Sequence, residues 1–515
     1  MARSTVIFGP SGVVLDEVSA ACPPDVYTDC MNFRVAGAGM QLGGGQAVLH
    51  ALAAFTAGFA PKFGMLAPVD AVPYSIIMGT GGVAVSDGVA LVATMLPAGW
   101  GDFAAGAMTG AVLGGVAVFN YRGMPPWYWD GTPAAGSVKP LPGWIAGKQA
   151  RVIGAFGQHL FAGGLYGAAV EDSRLSWSDA AVAGAVPVTW VPTVTNQAGS
   201  LNLSTGKGPI QALEALGSSL MCWRTEGVFA IEYAGLPYVY VAREISLAAG
   251  AAGMNCVLQV KGTQVVLTPG DIVQTDGTQV RSLGEGRLKD WLFSRMSRDG
   301  LALAHGYVDT GSSEAVFNVA LGRDDRCNYS IVWNFERDKW SIRELPLATG
   351  AWMGMLAQGA KRTWDGDAGA WSADAGFWDE GIAGGYQPKA LAACPDTGVQ
   401  ILDQGYVRWT GENLVGTIER TGLKLGRGDA VAKLQRIIPV IEGPAGAVLQ
   451  IQVGAQLAAN GPVTWEGARP FTLGKSIKHD CNARGRFVAV RFSCAGPEQP
   501  TIAGFSMEFD DGGRQ

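Results

Sequence analysis

Charge is scarce in this chain: Asp, Glu, Lys and Arg make up only 16% of its 515 residues. Too little charge and ample apolar material (48%) exclude a disordered chain. The 38 Lys and Arg fall short of the 44 Asp and Glu, giving a net charge of −6. No basic footprint for gripping nucleic acid is present, although a wall that surrounds DNA without holding it would have this balance. Histidine is rarer still, with four residues at 50, 159, 305 and 479. None stands in an HExxH pattern or near a GxSxG elbow, so the signatures of zinc peptidases and serine hydrolases are missing. His159 lies in a strand-like run, where a hydrogen-bonded structural role is expected. The eight cysteines, at 22, 30, 222, 256, 327, 394, 481 and 494, form no CxxC pair. Their wide spacing is unlike a disulfide framework or a zinc site and reads as buried thiols in a reducing cytoplasm. Long apolar runs are also wanting. The apolar stretch at 5–8 is too short for a signal peptide, and the uncharged stretches 35–61 and 103–121 are broken by Gly and polar residues, so no membrane span is expected.

What the chain has instead is glycine, 74 residues of it, with 26 Pro, 16 Trp and 12 Tyr. Gly and Pro both cost free energy inside helices, while the aromatics suit pleated, half-buried surfaces. Short strands joined by tight turns are therefore expected. From about residue 74 the sequence shows runs of four to nine residues rich in Val, Ile and aromatics, bounded by Gly, Asp or Asn. A strand–turn–strand–turn–strand unit recurs loosely. It turns at Gly157-Gln158, at 217–219 and 226–227, and at Gly262 and Asp276-Gly277. The clearest hairpin runs from Ile331 to Phe335, turns through 336–339 and returns through Trp340 to Arg343. Five to seven such units near 50 residues apart fit propeller blades. After about residue 405 longer strands alternate apolar and polar residues, as in a sandwich with one wet face.

The expected fold is all-β: an irregular propeller-like domain of about 5–7 blades and a C-terminal antiparallel β-sandwich. Residues 1–70 are expected to supply strands and a short helix at 46–59, closing the propeller or forming ring contacts. The propeller would occupy 71–405 and the sandwich 406–515.

Candidate chemistry is thin. Gly474-Lys475-Ser476 lacks the Gly a phosphate loop needs at 469, which is Arg469, and Gly206-Lys207 lacks the following Ser or Thr. Asp365, Asp367, Asp374 and Asp379 could ligate calcium, and Ser372, Asp374 and Gly376 match an Asp box in which Trp378 falls one position early. An Asp-Gly turn pair flanked by packed Trp accounts for the same residues. The run Pro125 to Asp130 (PPWYWD) could stack a sugar through Trp127, Tyr128 or Trp129, but reads better as an extended packing segment. No catalytic residue, cofactor site or metal site is assigned, and an enzyme is not expected. The alternative is a carbohydrate-binding or carbohydrate-cleaving propeller, with two carboxylates in a cleft walled by those aromatics.

An ordered series in the middle of the chain carries a family resemblance. Arg174 to Asp179 (RLSWSD) is followed by Val186 to Trp190 (VPVTW), Ala198 to Leu203 (AGSLNL), Gly208 to Leu213 (GPIQAL), Leu216 to Met221 (LGSSLM) and Glu226 to Tyr233 (EGVFAIEY). The series resembles the tail nozzle, or tail stabilisation, proteins of short-tailed bacteriophages. Tyr27 to Arg34, with Asn32 and Arg34, resembles the family's N-terminal strand. Thr417 to Leu423 and Arg484 to Arg491 resemble its sandwich strands. The Gly/Ala-rich residues 35–125 match no blade of the family. The resemblance implies a homo-oligomer, a hexameric ring below the portal and head-to-tail adaptor, with tail spikes or fibres docked outside and genomic DNA passing through without tight binding. It places the protein in the virion tail, assembled in the host cytoplasm, with another tail component such as a hub or fibre-attachment protein as a further alternative.

Overall fold

The computed structural model describes residues 2–8, 12–37, 39–69, 72–357, 385–425, 431–459, 461–497 and 500–511. The expected Asp365–Asp379 segment lies outside them. Seven four-stranded antiparallel units form a propeller. Blade one begins with Ala60–Val69 and blade two with Met108–Leu113. Blades three, four and five begin with Gln149–Phe156, Lys207–Leu216 and Val257–Val260. Blades six and seven begin with His305–Asp309 and Gly350–Ala357. These first strands pack one against the next around the ring, and the seventh returns to the first. Two blades therefore occupy the Gly/Ala-rich stretch that resembles no blade in sequence. Its glycines sit where inner strands crowd. A Cβ on Gly64 would enter the Trp352 ring, and one on Gly110 would meet the Met65 sulfur.

Blade seven is completed from the far end of the chain. Its strands Gly350–Ala357, Tyr386–Cys394 and Gly398–Leu402 take Gln46–Ala51 as the fourth, with Gly398 opposite Ala51 and Leu402 opposite Gln46. This corrects the expected helix at 46–59: only a 3-10 turn, Leu52–Ala54, follows the strand. The apolar spacing is compatible with either element. The Gly-flanked segment has no side-chain cap, whereas the edge of blade seven supplies a full ladder of backbone partners. Two short helices, Lys289–Phe293 and Arg298–Leu303, carry the chain from blade five to blade six. The second is capped by Ser297, whose Oγ accepts from Gly300 N at 2.9 Å.

The sandwich takes strands from both ends of the chain. One sheet runs Phe33–Ala36, Gly39–Leu42, Thr501–Asp511, Ala432–Glu442 and His479–Gly485, with Ala2–Ile7 also on Thr501–Asp511. The other contains Val415–Lys424, Phe487–Ala495 and Val448–Gln456. The strands Ala2–Ile7, Phe33–Ala36 and Gly39–Leu42 thus belong to the sandwich, and Gln46–Ala51 and Ala60–Val69 to the propeller. The second sheet continues into blade six through Asp29–Met31, which pairs antiparallel with Val415–Lys424 and in parallel with Lys339–Ala348. Trp340, fully buried, stands at that junction in one apolar core that runs from blades five and six into the sandwich. No helix among the described residues is long and apolar enough to cross a membrane.

Candidate functional site

A polar cleft of about 600 Å³ opens where the propeller meets the sandwich. Four turns and strands converge on it. The sandwich hairpin supplies Arg34 and Gln41, two turns of blade six supply Ser312, Ser313, Asn334 and Arg337, and the exit from blade seven supplies Asp403 and Tyr406. Beneath lies an ion network. Arg343 Nη2 donates to Glu314 Oε1 at 2.6 Å, Arg34 Nη2 lies 3.5 Å from Glu314 Oε2, and Arg34 Nη1 donates to Asp403. Asp403 Oδ1 also accepts from Gly44 N at 2.6 Å. Burial alone would raise the Asp403 carboxyl, but Arg343 and Arg34 beside it hold it below its ordinary value. Desolvation opposes the Arg343 charge, yet Glu314 and Asp403 outweigh it and raise that guanidinium further.

Asn32 continues the network. Its Nδ2 donates to Glu344 Oε2 at 3.1 Å and to Val415 O at 2.9 Å, and its Oδ1 accepts from Glu344 N at 2.9 Å. Arg408 Nη2 pairs with Glu344 at 2.7 Å. Both Asn32 (φ 59°) and Asp403 (φ 57°) hold the left-handed conformation, which Asn and Asp tolerate best among residues with a side chain. Glu314, Asp403 and Glu344 each face a guanidinium. The chemistry on offer is therefore a charge-assisted clamp between sandwich and propeller, not a free carboxylate pair. Asn32 and Arg34 stand out in sequence only through the family resemblance. Nothing local marks Glu314, Arg343 or Asp403, because they meet through the fold.

The other singled-out residues are dispersed. His50 Nε2 lies 2.7 Å from Ser86 Oγ between blades seven and one, and His159 Nδ1 lies 2.8 Å from Ser178 O in blade three. His305 is in blade six and His479 in the sandwich, and burial lowers both, His305 to about 4. Trp127 and Trp129 are buried in the third strand of blade two, where Trp129 Nε1 donates to Thr132 O and Ser137 Oγ. Lys475 and Ser476 form a turn after Arg469–Thr472, and Ser476 Oγ accepts from Thr472 N at 3.1 Å. Gly206 and Lys207 join blades three and four, where the buried Arg224 donates to the carbonyls of Leu203, Thr205 and Gly208. Among the described residues no three His, Cys, Asp or Glu side chains converge on a metal position. All eight cysteines are free, seven of them buried.

The segments of the resemblance series fall in chain order on blades three and four. Trp177 ends the third strand of blade three and donates to Gln197 O at 2.8 Å. Ser178 Oγ accepts from Leu160 N, and Asp179 Oδ1 accepts from Gln197 N, so this tripeptide pins the long excursion at 179–198 to its blade. Gly208 to Leu213 lies in the first strand of blade four, and Val228–Gly235 is its third.

No family model and no curated protein matches the chain. Among solved structures it is similar to the β-propeller domain of Cps50 (Swd1) from Myceliophteria thermophila, at 10% identity and a TM-score of 0.39, over 61% of this chain and 96% of that one. The WD40 propeller of Doa1 gives 10% identity and a TM-score of 0.34, over 68% and 98% of the two chains. A fungal copper-bound alcohol oxidase of the AA5 family gives 9% and 0.37, over 98% of each. At these identities and scores the likenesses carry nothing about what this chain binds or does, and its fold is that of a seven-bladed propeller joined to a sandwich.

Proposed function

We propose that this chain is a structural subunit of the tail nozzle of a short-tailed bacteriophage, closing with copies of itself into a ring beneath the adaptor through which DNA leaves. The observation that carries the reading is the ordered series from Arg174 to Tyr233, whose segments lie on strands of blades three and four and, for Val186 to Trp190, in the excursion at 179–198. The outlying segments of the resemblance add support. Asn32 and Arg34 lie in the clamp between the two bodies, and Thr417 to Leu423 and Arg484 to Arg491 lie on sandwich strands. A part that transmits load needs its halves locked, and here a sheet and the ion pairs of Arg34 with Glu314 and Asp403 both cross the junction. A net charge of −6 suits a wall that DNA passes without stalling, since a Lys/Arg-lined wall would hold phosphates with strong salt dependence. Adaptor and spike proteins would then be its neighbours. Negative-stain imaging and mass measurement of the purified protein, alone and mixed with the adaptor, test this. Rings, most simply of six copies, are expected in at least the mixture. A protein that stays monomeric in both and cleaves a polysaccharide would overturn the reading.

A further inference from the structure

From Asp179 to Ala198 the chain leaves blade three as an arm without helix or strand. The arm is firmly held. Trp190 is buried and packs edge to face against Trp144, with ring centroids 4.8 Å apart. Gly184 N donates to Gly114 O of blade two at 2.8 Å, and Asp179 N donates to Thr189 O at 3.0 Å. Asn196 closes the tip, accepting from Thr193 N at 2.9 Å and donating to Val191 O at 2.8 Å. Yet Val182, Val188, Val191 and Val194 are each at least 60% exposed. Residues 180–206 contain no Asp, Glu, Lys or Arg. Surface loops are ordinarily polar, whereas an apolar arm already ordered loses little conformational entropy when it docks.

A second uncharged surface begins two blades away. The outer strands of blades two, four and five carry Lys139, Arg243 with Glu244, and Arg281, charges of the kind that guard an open sheet edge. The outer strands of blades seven and one, Gln46–Ala51 and Leu91–Met95, carry none, and each ends its sheet among the described residues. His50 Nε2, 2.7 Å from Ser86 Oγ, ties these two rims together, and Phe55 and Leu91 share one apolar cluster. Val48, Val89 and Leu96 stand more than half exposed along them. Residues 46–61 and 88–101 lack Asp, Glu, Lys and Arg altogether. The flanking Asp87 accepts from the amides of Val89 and Ala90, and Asp102 pairs with Lys62 at 2.7 Å.

The arm cannot reach this surface within its own chain, because Gly184 and Trp190 tie it to blades two and three. We propose that the arm of one copy docks on the joined outer rims of blades seven and one of the next copy. This assignment rests on the reading of the chain as a ring subunit and names the surfaces that meet. Neither surface brings a charge that the other would leave buried and unpaired. Residues 180–206 on one side, and 46–61 with 88–101 on the other, match the about 20–30 residues a side of a stable interface. Because the two surfaces differ and sit on different blades, the contact is head-to-tail, the kind that builds rings and not two-fold dimers.

Two variants of the full-length protein test this, Val188→Asp with Val191→Asp on the arm, and Val48→Asp with Leu96→Asp on the rims. All four positions are exposed, so both variants are expected to melt within about 3 °C of the wild type. Each is expected to weaken self-association at least about a hundredfold, because docking would bury an unpaired carboxylate. Mixed, they are expected to form pairs and nothing larger, since one keeps its rims and the other its arm. Masses read after brief glutaraldehyde cross-linking trap even a weak single contact. Rings that survive either variant, or a mixture that stays monomeric, would overturn the proposal and leave the ring reading standing. A wild type that is monomeric alone and with the adaptor would overturn both. Hydrogen exchange of wild-type rings against the dilute protein needs no variant. Peptides covering 182–196, 46–58 and 89–99 are expected to slow at least about tenfold on assembly, and unchanged exchange there would refute the contact.

Discussion

All four strands of blade four fall within residues 207–246, and each pairs with the next in sequence. In the sandwich, Thr5 meets Ser506, 501 positions away. Both regions are antiparallel β-structure with apolar cores, yet their assembly differs. A blade closes short loops and gains its contacts at once, whereas the sandwich must bring the chain ends together before any pairing rewards the cost. The molecule ties the two with the same device. A buried arginine in each region binds a cluster of loop carbonyls: Arg224 in blade four, and Arg420 in the sandwich, which donates to Ser19, Cys22, Pro23, Pro24 and Thr421.

Breaking those devices measures the difference. Arg420→Ala is expected to cost about 3–5 kcal/mol in urea unfolding followed by tryptophan fluorescence, because the carbonyls of five residues lose their donor at once. Arg224→Ala should cost less, about 2–3 kcal/mol, since Thr205 and Gly208 are exposed and water replaces part of what is lost. Equal costs would show that the two clamps are alike despite their settings. Gly398→Ala attacks the one blade assembled like the sandwich. Gly398 has φ +101°, and a Cβ there would overlap the His50 carbonyl. A loss of about 2 kcal/mol is expected in thermal melts, with faster hydrogen exchange at 46–51.

The strand joining the two regions should make stability depend on pH. Burial, and then Glu419 directly opposite, push the Asp29 carboxyl up to about 6. The folded state therefore holds the proton to higher pH than the unfolded chain, and stability falls as pH rises from about 4 to about 6. Asp29→Asn should match the wild type near pH 3 and exceed it by about 1–2 kcal/mol at pH 8. A variant that tracks the wild type at every pH would remove Asp29 as the source. The smallest effect belongs to the exposed Lys261–Glu336 pair, 3.0 Å apart between blades five and six. Lys261→Ala should change stability by less than about 0.5 kcal/mol in the same urea titration.

Much of the propeller is legible in the chain because its information is local. The turns at Gly157, Gly217, Gly262 and 336–339 are hairpin turns in the structure, and Trp333 faces Trp340 across the last, with ring centroids 6.1 Å apart. Blades one and two are harder to read. Their glycines answer to neighbours such as Trp352 and Met65, which sequence does not place beside them. The clamp was least visible, since Arg34, Glu314, Arg343 and Asp403 are ordinary residues on four separate segments.

By itself the sequence determined an all-β chain of short strands, because Gly, Pro and β-branched composition act on each residue's own backbone. Tertiary structure decided the rest: that Gln46–Ala51 is the last strand of blade seven, and that strands from the first residues, Ala2–Ile7, Phe33–Ala36 and Gly39–Leu42, join a sandwich made from the other end. Those outcomes depend on which edge offers backbone partners and which face offers space. Only the folded chain brings such surfaces together.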